Sequence, residues 1–191
     1  MSTLAMLPAM TQLDIDGRGK TFGLWHPRQA LLKLRWEYDM LVGFENDGDD
    51  RHVFAAFNAA STAWHLAEWT WHTLPQLESP PKNFARMKDF YADCLTGFPE
   101  LDLCRQIANG GKHFRLEGRH DIGVRTSTMY MLKYRRDQNG KIEFVAPAGN
   151  KHEQRLAVSC SGKIVKVRTL IADAAAYWDE RLTRLGYKQY F

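Results

Sequence analysis

Apolar residues recur every three or four positions from Pro27 as far as Gly118, and every second position through much of the chain beyond it. The first period predicts helices, the second strands. After His26-Pro27, residues Ala30, Leu31, Leu34, Tyr38 and Leu41 form one stripe, with proline tolerated in the first turn and Gly43 with the acidic loop Glu45 to Asp50 ending the helix. Asp49-Asp50 suits the positive end of a second helix, expected over Arg51 to Thr73. Lys82 to Leu95 predicts a third, with Phe84, Met87, Phe90 or Tyr91, and Leu95 inward. Gly97-Phe98-Pro99 breaks it, and a fourth helix from Pro99 or Leu101 runs into Arg105 to His113.

Beyond Gly118, Val124 to Tyr134, Asn139-Gly140 and Lys141 to Val145 predict a hairpin, because Asn-Gly permits the positive φ values of a tight turn. Arg155 to Cys160, Ser161-Gly162 and Lys163 to Val167 predict another. A last helix is expected from Arg168 to Leu185, with Leu170, Ala174, Tyr177, Trp178 and Leu182 on its apolar side and Gly186 as its stop. Met1 to Trp25 has no sustained period and predicts an irregular arm or a short strand. The fold class is therefore α+β and mostly α: a four-helix up-down bundle, then a small antiparallel sheet of two hairpins, then a C-terminal helix. Residues 1–118 would hold the arm and bundle, and 119–191 the hairpins and last helix packed on it as one compact domain.

The second helix is unusual. Val53 to Leu77 contains one formal charge, Glu68, which predicts burial nearly all round, while its Asn, Ser, Thr and His content argues against a membrane span. At roughly 100° per residue, Asn58, Thr62, His65, Trp69 and His72 stack along one stripe, and Phe57, Trp64 and Trp71 along another. An unpaired buried polar group costs about 1–3 kcal/mol. Asn58, His65, Glu68 and His72 are accordingly expected to form a polar seam against another polar stripe.

At 191 residues the chain is long enough to bury its own core. Three cysteines, Cys94, Cys104 and Cys160, cannot all pair, no charged start leads into an apolar signal stretch, and no run is apolar enough to span a bilayer. A cytoplasmic protein with no membrane partner is expected. Six tryptophans point to helix packing or to an interface, here a homodimer through the Trp-rich helices. The net charge of +4 hides an asymmetry: residues 1–111 carry 10 Lys and Arg against 14 Asp and Glu, and residues 112–191 carry 16 against 8. Such a basic region suits RNA or another phosphate-bearing ligand.

The basic region begins inside the segment richest in candidate chemistry, Leu103 to Phe114, where Arg105, Asn109, Lys112 and His113 surround Gly110-Gly111. Arg105 and Asn109 lie roughly 40° apart on one side of a helix, and His113 adds another 40° where the helix survives the two glycines. Each glycine costs about 1 kcal/mol in a helix interior, so a distortion is the alternative. Without Cβ atoms at 110 and 111, a phosphate or a second chain can approach the backbone. Lys112, Gly110, Gly111 and Arg115 are the candidate substrate-binding residues.

A four-helix bundle with a polar second helix, and with Arg105, Asn109 and His113 on its last helix, resembles the HEPN superfamily. The resemblance covers about Pro27 to Phe114. Many of its members are metal-independent ribonucleases of defence or toxin systems that pair two copies to form one active site. It implies that Arg105, His113 and Asn109 are catalytic: the 2′-hydroxyl of RNA is the nucleophile, His113 the base, Arg105, with Lys112, the cation for the pentavalent phosphate, and Asn109 orients His113 or holds a phosphate oxygen. Seven residues separate Arg105 from His113, against four to six in the usual motif. The alternative is a non-catalytic structural or protein-interaction module in which Arg105 pairs with an acid such as Glu68, Asn109 caps the helix and His113 satisfies a core group.

No metal or cofactor is expected. His65, Glu68 and His72, even with His113, lack the Glu-x-x-His order and the further glutamates of helical di-iron sites. Gly110-Gly111-Lys112 lacks the spacing and the following Ser or Thr of a phosphate loop.

Overall fold

The computed structural model describes residues 24–45, 50–112, 123–131, 133–136, 138, 142–145 and 153–189. Within them the chain forms α1 (Pro27–Phe44), α2 (Arg51–Thr73), α3 (Met87–Gly97) and α4 (Leu101–Lys112), then β1 (Arg125–Met131), β2 (Lys133–Arg136), β3 (Ile142–Val145), β4 (Glu153–Cys160) and β5 (Lys163–Lys166), and finally α5 (Val167–Arg184). The α+β class is the one the two periodicities indicate. Among the described residues no helix is long and apolar enough to cross a membrane. Most of the N-terminal arm and the Asn139-Gly140 turn lie outside the described residues.

α1 starts where its capping residues place it. His26 Nδ1 accepts the Arg28 backbone N–H at 3.1 Å, and Gln29 Oε1 accepts the backbone N–H groups of Trp25 and His26, each at 3.1 Å. Pro27 at the first helical position gives up an N–H that has no intrahelical acceptor. α3 begins five residues later than the sequence pattern suggests. Arg86 is extended, at φ −141° and ψ 153°, and grips Asp89 of the first turn with two hydrogen bonds of 3.1 and 3.2 Å. Met87, expected inward, is 38% exposed; Phe90 and Cys94 are the buried residues of α3.

α2 is not buried all round. Its inward stripe is made of Ala56, Ala59, Ala60, Ala63, Leu66 and Ala67, whereas Val53, Phe54 and Phe57 reach solvent. Low charge there reflects alanines rather than an apolar circumference. The small side chains let neighbouring helices come close: α1, α4 and α5 all pack on α2. Trp178 of α5, fully buried, crosses the seam and donates its indole N–H to the Ala63 carbonyl.

α5 carries the apolar side expected of it, with Leu170, Ala174, Tyr177, Trp178 and Leu182 all buried, and it packs directly on α1 and α2. A buried guanidinium fixes that contact. Arg28 of α1 pairs with the Asp179 carboxylate and donates to Thr183 Oγ1 at 2.8 Å and to the Tyr187 carbonyl at 3.1 Å. Arg35 holds the second Asp179 oxygen at 2.8 Å. The Tyr187 hydroxyl lies 2.6 Å from Thr73 Oγ1 and donates to the Thr70 carbonyl at 3.1 Å, and burial pushes it up to about 12.

Both hairpins form, β2 with β3 and β4 with β5, and the first run supplies an additional strand, β1. β1 pairs antiparallel with β4, β4 with β5, and β2 with β3, so the Val124 to Tyr134 run supplies strands to two sheets and the β2–β3 hairpin is inserted between β1 and β4. Ala157 and Val158 of β4 are buried, and β1 and β5 flank them on either side; Val158 pairs with Thr126 and with Val165. The β4–β5 turn has positive φ at both central residues, 49° at Ser161 and 80° at Gly162, the twist that closes a two-residue hairpin.

Candidate functional site

α4 continues as helix through Gly110-Gly111 to Lys112, so the glycine pair does not break it. One side of the helix is locked into the bundle by Leu101, Cys104 and Ala108, all buried. On the other, Arg105 and Asn109 share a half-buried face, where residues four apart place their Cβ atoms about 5–6 Å from each other. Gly110 is exposed, and a Cβ built on it would have no atom within 4 Å. The backbone there is open to a ligand.

Arg105 is anchored locally. Its Nε donates to Asp102, one turn earlier in the same helix, and its guanidinium carbon lies 6.0 Å from the ring centroid of Trp64 on α2. Trp64 in turn meets Tyr91 of α3 edge-on at 5.2 Å. Burial first, and the Glu68 carboxylate second, push the Tyr91 hydroxyl up to about 12, so it stays a neutral donor across the physiological range. Three helices thus build a patch with a cation beside an aromatic ring and an amide one turn on. Such a patch can hold a phosphate against Arg105 and a planar group against Trp64.

The residues expected at the site divide into three sets. Arg105 and Asn109 come together on α4, whereas Gly110 lies about 140° round the helix from Arg105. The backbone of Gly111 and Lys112 belongs to the same helix, whereas His113 and Arg115 lie outside the described residues. The polar seam expected on α2 does not form: Asn58, Glu68 and His72 are exposed and His65 is half-buried, because the inward face is taken by alanines. Arg105 therefore pairs with Asp102, not with Glu68, and Asn109 sits within the helix instead of capping it. Among the described residues no three His, Cys, Asp or Glu side chains group to ligate a metal.

Sequence reasoning misses Trp64, Tyr91 and Asp102 as parts of this patch. Asp102 is visible as the i, i+3 partner of Arg105, but Trp64 and Tyr91 reach it from other helices through tertiary packing. Cys104, beside Arg105 in sequence, lies about 100° round the helix and is fully buried, and burial pushes its thiol up to about 12. Compared with protein-family models, with curated proteins and with solved structures, the chain matches none.

Proposed function

We propose that this chain is a HEPN-like protein that binds RNA on the half-buried Arg105 and Asn109 face of α4. The observation that carries the reading is the Arg105 guanidinium set beside the half-buried Trp64 ring, with Asn109 one turn on along the same helix. Single-stranded RNA offers what this patch takes, a phosphate for the cation and an unstacked base for the ring. The basic balance of residues 112–191 supplies the long-range attraction.

The ribonuclease form of the reading adds His113. It accepts the proton of the 2′-hydroxyl, the 2′-oxygen bonds to phosphorus, and the bond to the 5′-oxygen breaks, leaving a 2′,3′-cyclic phosphate and, after protonation from water, a 5′-hydroxyl. Arg105 carries the charge that builds on phosphorus. Fluorescence anisotropy of a labelled single-stranded RNA in EDTA, with scission followed on gels, tests both forms. Arg105→Ala should weaken binding about tenfold, and His113→Ala should stop scission while leaving binding in place. Binding by Arg105→Ala equal to wild type would remove the reading. Absence of scission in wild type would remove its ribonuclease form alone.

One observation favours a second reading, a non-catalytic interaction module that pairs with a second copy of itself: Trp36 of α1 and Phe54 of α2 are each 61% exposed. Sedimentation equilibrium of wild type and Trp36→Ser tests this interface, which should dissociate with the substitution, and the RNA isotherm separates the two readings, since the interaction module gives none.

A further inference from the structure

A cavity of about 290 Å³ lies where the C-terminal end of α1, the start of α2, β4 and the start of α5 meet. His52, which lines it, is twelve residues from Trp64 on α2, about 18 Å along the helix at 1.5 Å per residue. The cavity is therefore separate from the α4 patch.

Its charge is one-sided. Arg155 of β4, Lys166 of β5 and Arg168 of α5 bring three cations to its wall, and among the described residues Glu45 is the one acid that lines it. Glu45, the residue that caps α1, spreads its carboxylate over two of the three: one oxygen lies 3.5 Å from Arg155 Nη1 and the other 3.2 Å from Arg168 Nη1. It thus holds one guanidinium from the sheet and one from α5. Among the described residues no acid pairs with Lys166. Tyr38, through its hydroxyl, and then Glu45 hold the Arg168 guanidinium above its ordinary pKa.

Two further features select among anions. Lys166, Arg168 and Thr169 bring the start of α5 to the cavity, and that helix end has no side-chain cap and no acidic residue in its first turn, so its dipole is uncompensated. Leu41, Leu156 and Ala172 give the wall an apolar part, beside Tyr38, His52 and Thr169. A bare inorganic ion leaves that wall unused, and a cavity at the lower end of ligand-site volumes excludes a large body. A phosphate monoester carries between one and two negative charges at neutral pH and accepts bidentate hydrogen bonds from guanidinium.

We propose that this cavity binds a small phosphate monoester, with its phosphate held by Arg155, Lys166, Arg168 and the first amides of α5 and its organic body against Leu41 and Leu156. The assignment does not depend on RNA binding at α4. Isothermal titration of the full chain with phenyl phosphate, phenol and inorganic phosphate tests it, using Lys166→Gln and Arg168→Gln, both at exposed positions. Phenyl phosphate should bind saturably to wild type and about tenfold or more weakly to each variant, since each removes a charge-assisted contact. It should also raise the thermal midpoint of wild type more than that of either variant. Phenol should not bind, and inorganic phosphate should bind more weakly than the ester. No saturable binding by wild type, equal affinity in both variants, phenol as tight as the ester, or inorganic phosphate as tight as the ester would each overturn the proposal.

Discussion

Trp178 donates its indole N–H to the carbonyl of Ala63 at 2.8 Å, and both residues are fully buried. The contact joins the middle of α5 to the middle of α2, and it exists because the α2 seam is alanine: a larger side chain near position 63 would hold the indole away. Trp178→Phe keeps most of the packing but leaves that contact unmade, and should cost about 1–3 kcal/mol. Trp178→Ala, which also opens a cavity, should cost about 3–5 kcal/mol. Urea midpoints measure both. A loss for Trp178→Phe no larger than that for the exposed Trp36→Phe would show that the hydrogen bond contributes nothing.

Gly97 and Gly110, both on helices, should respond in opposite directions. A Cβ on Gly97 would lie 3.1 Å from the Tyr177 ring and 3.3 Å from its hydroxyl, which donates to the Cys94 carbonyl. Gly97→Ala should therefore destabilise by about 1–3 kcal/mol, as overpacking does. Gly110→Ala meets open space and should stabilise α4 by about 0.5–1 kcal/mol. If Gly110 serves backbone access to a phosphate, the same change should lower RNA affinity while raising the thermal midpoint. Affinity that rises together with stability would argue that the glycine has no role in binding.

α1, α2 and α5 are legible in the sequence because their signals are local. Pro27 after a capping residue, the Ala30 to Leu41 stripe and Gly186 after Arg184 each act within one or two turns. The start of α3 is not, since Lys82 to Arg86 is compatible with helix by propensity and is set instead by how Arg86 grips Asp89. The inward face of α2 escapes the pattern for a related reason: alanine has little hydrophobic weight, yet it occupies the seam, while Phe54 and Phe57 face solvent. The same limit applies to the candidate site. Arg105 and Asn109 share a face by helical spacing, but Trp64 and Tyr91 join them by packing, and the Tyr38, Arg155 and Arg168 cavity gathers residues more than a hundred positions apart.

Cysteine reactivity should separate the core from the sheet. Burial pushes Cys94 up to about 11 and Cys104 up to about 12, against an ordinary 9.0, and both side chains are fully buried. Thiolate is the reactive form, so at pH 8 a disulfide reagent should modify Cys160 alone in the folded protein and all three thiols after denaturation. The linkage has a definite sign. Folded Cys94 keeps its proton to about 11 while the unfolded thiol loses it near 9, so stability is intact below pH 9 and falls as pH rises towards 11. Rapid modification of Cys94 or Cys104 at pH 8 would contradict the buried placement.

His26 should confer a pH dependence at the acid end. Burial, and then the Arg28 charge, lower its pKa below the ordinary 6.5, and its Nδ1 must be unprotonated to accept the Arg28 N–H. The unfolded chain therefore binds the proton more readily, and the capping contribution, about 1 kcal/mol, is present above pH 6.5 and lost as pH falls below it. His26→Ser retains a capping oxygen and should remove this part of the slope between pH 7 and pH 5. Parallel stability curves for the two proteins across that range would refute the assignment.

Asp102 decides how Arg105 is used. The pair is half-exposed, with each side chain 23% accessible, so its direct contribution to stability should be small, about 0–1 kcal/mol. A ligand phosphate competes with Asp102 for the same guanidinium and is repelled by the same carboxylate. Asp102→Asn keeps the side chain's shape and removes the charge; if α4 binds RNA, affinity should rise several-fold at low salt and the gain should shrink as salt screens the repulsion. An Arg105 that serves only to brace the helix gives the opposite pattern, a small loss in urea midpoint with RNA affinity unchanged. Measuring the midpoint and the anisotropy isotherm on the same Asp102→Asn sample distinguishes the two outcomes.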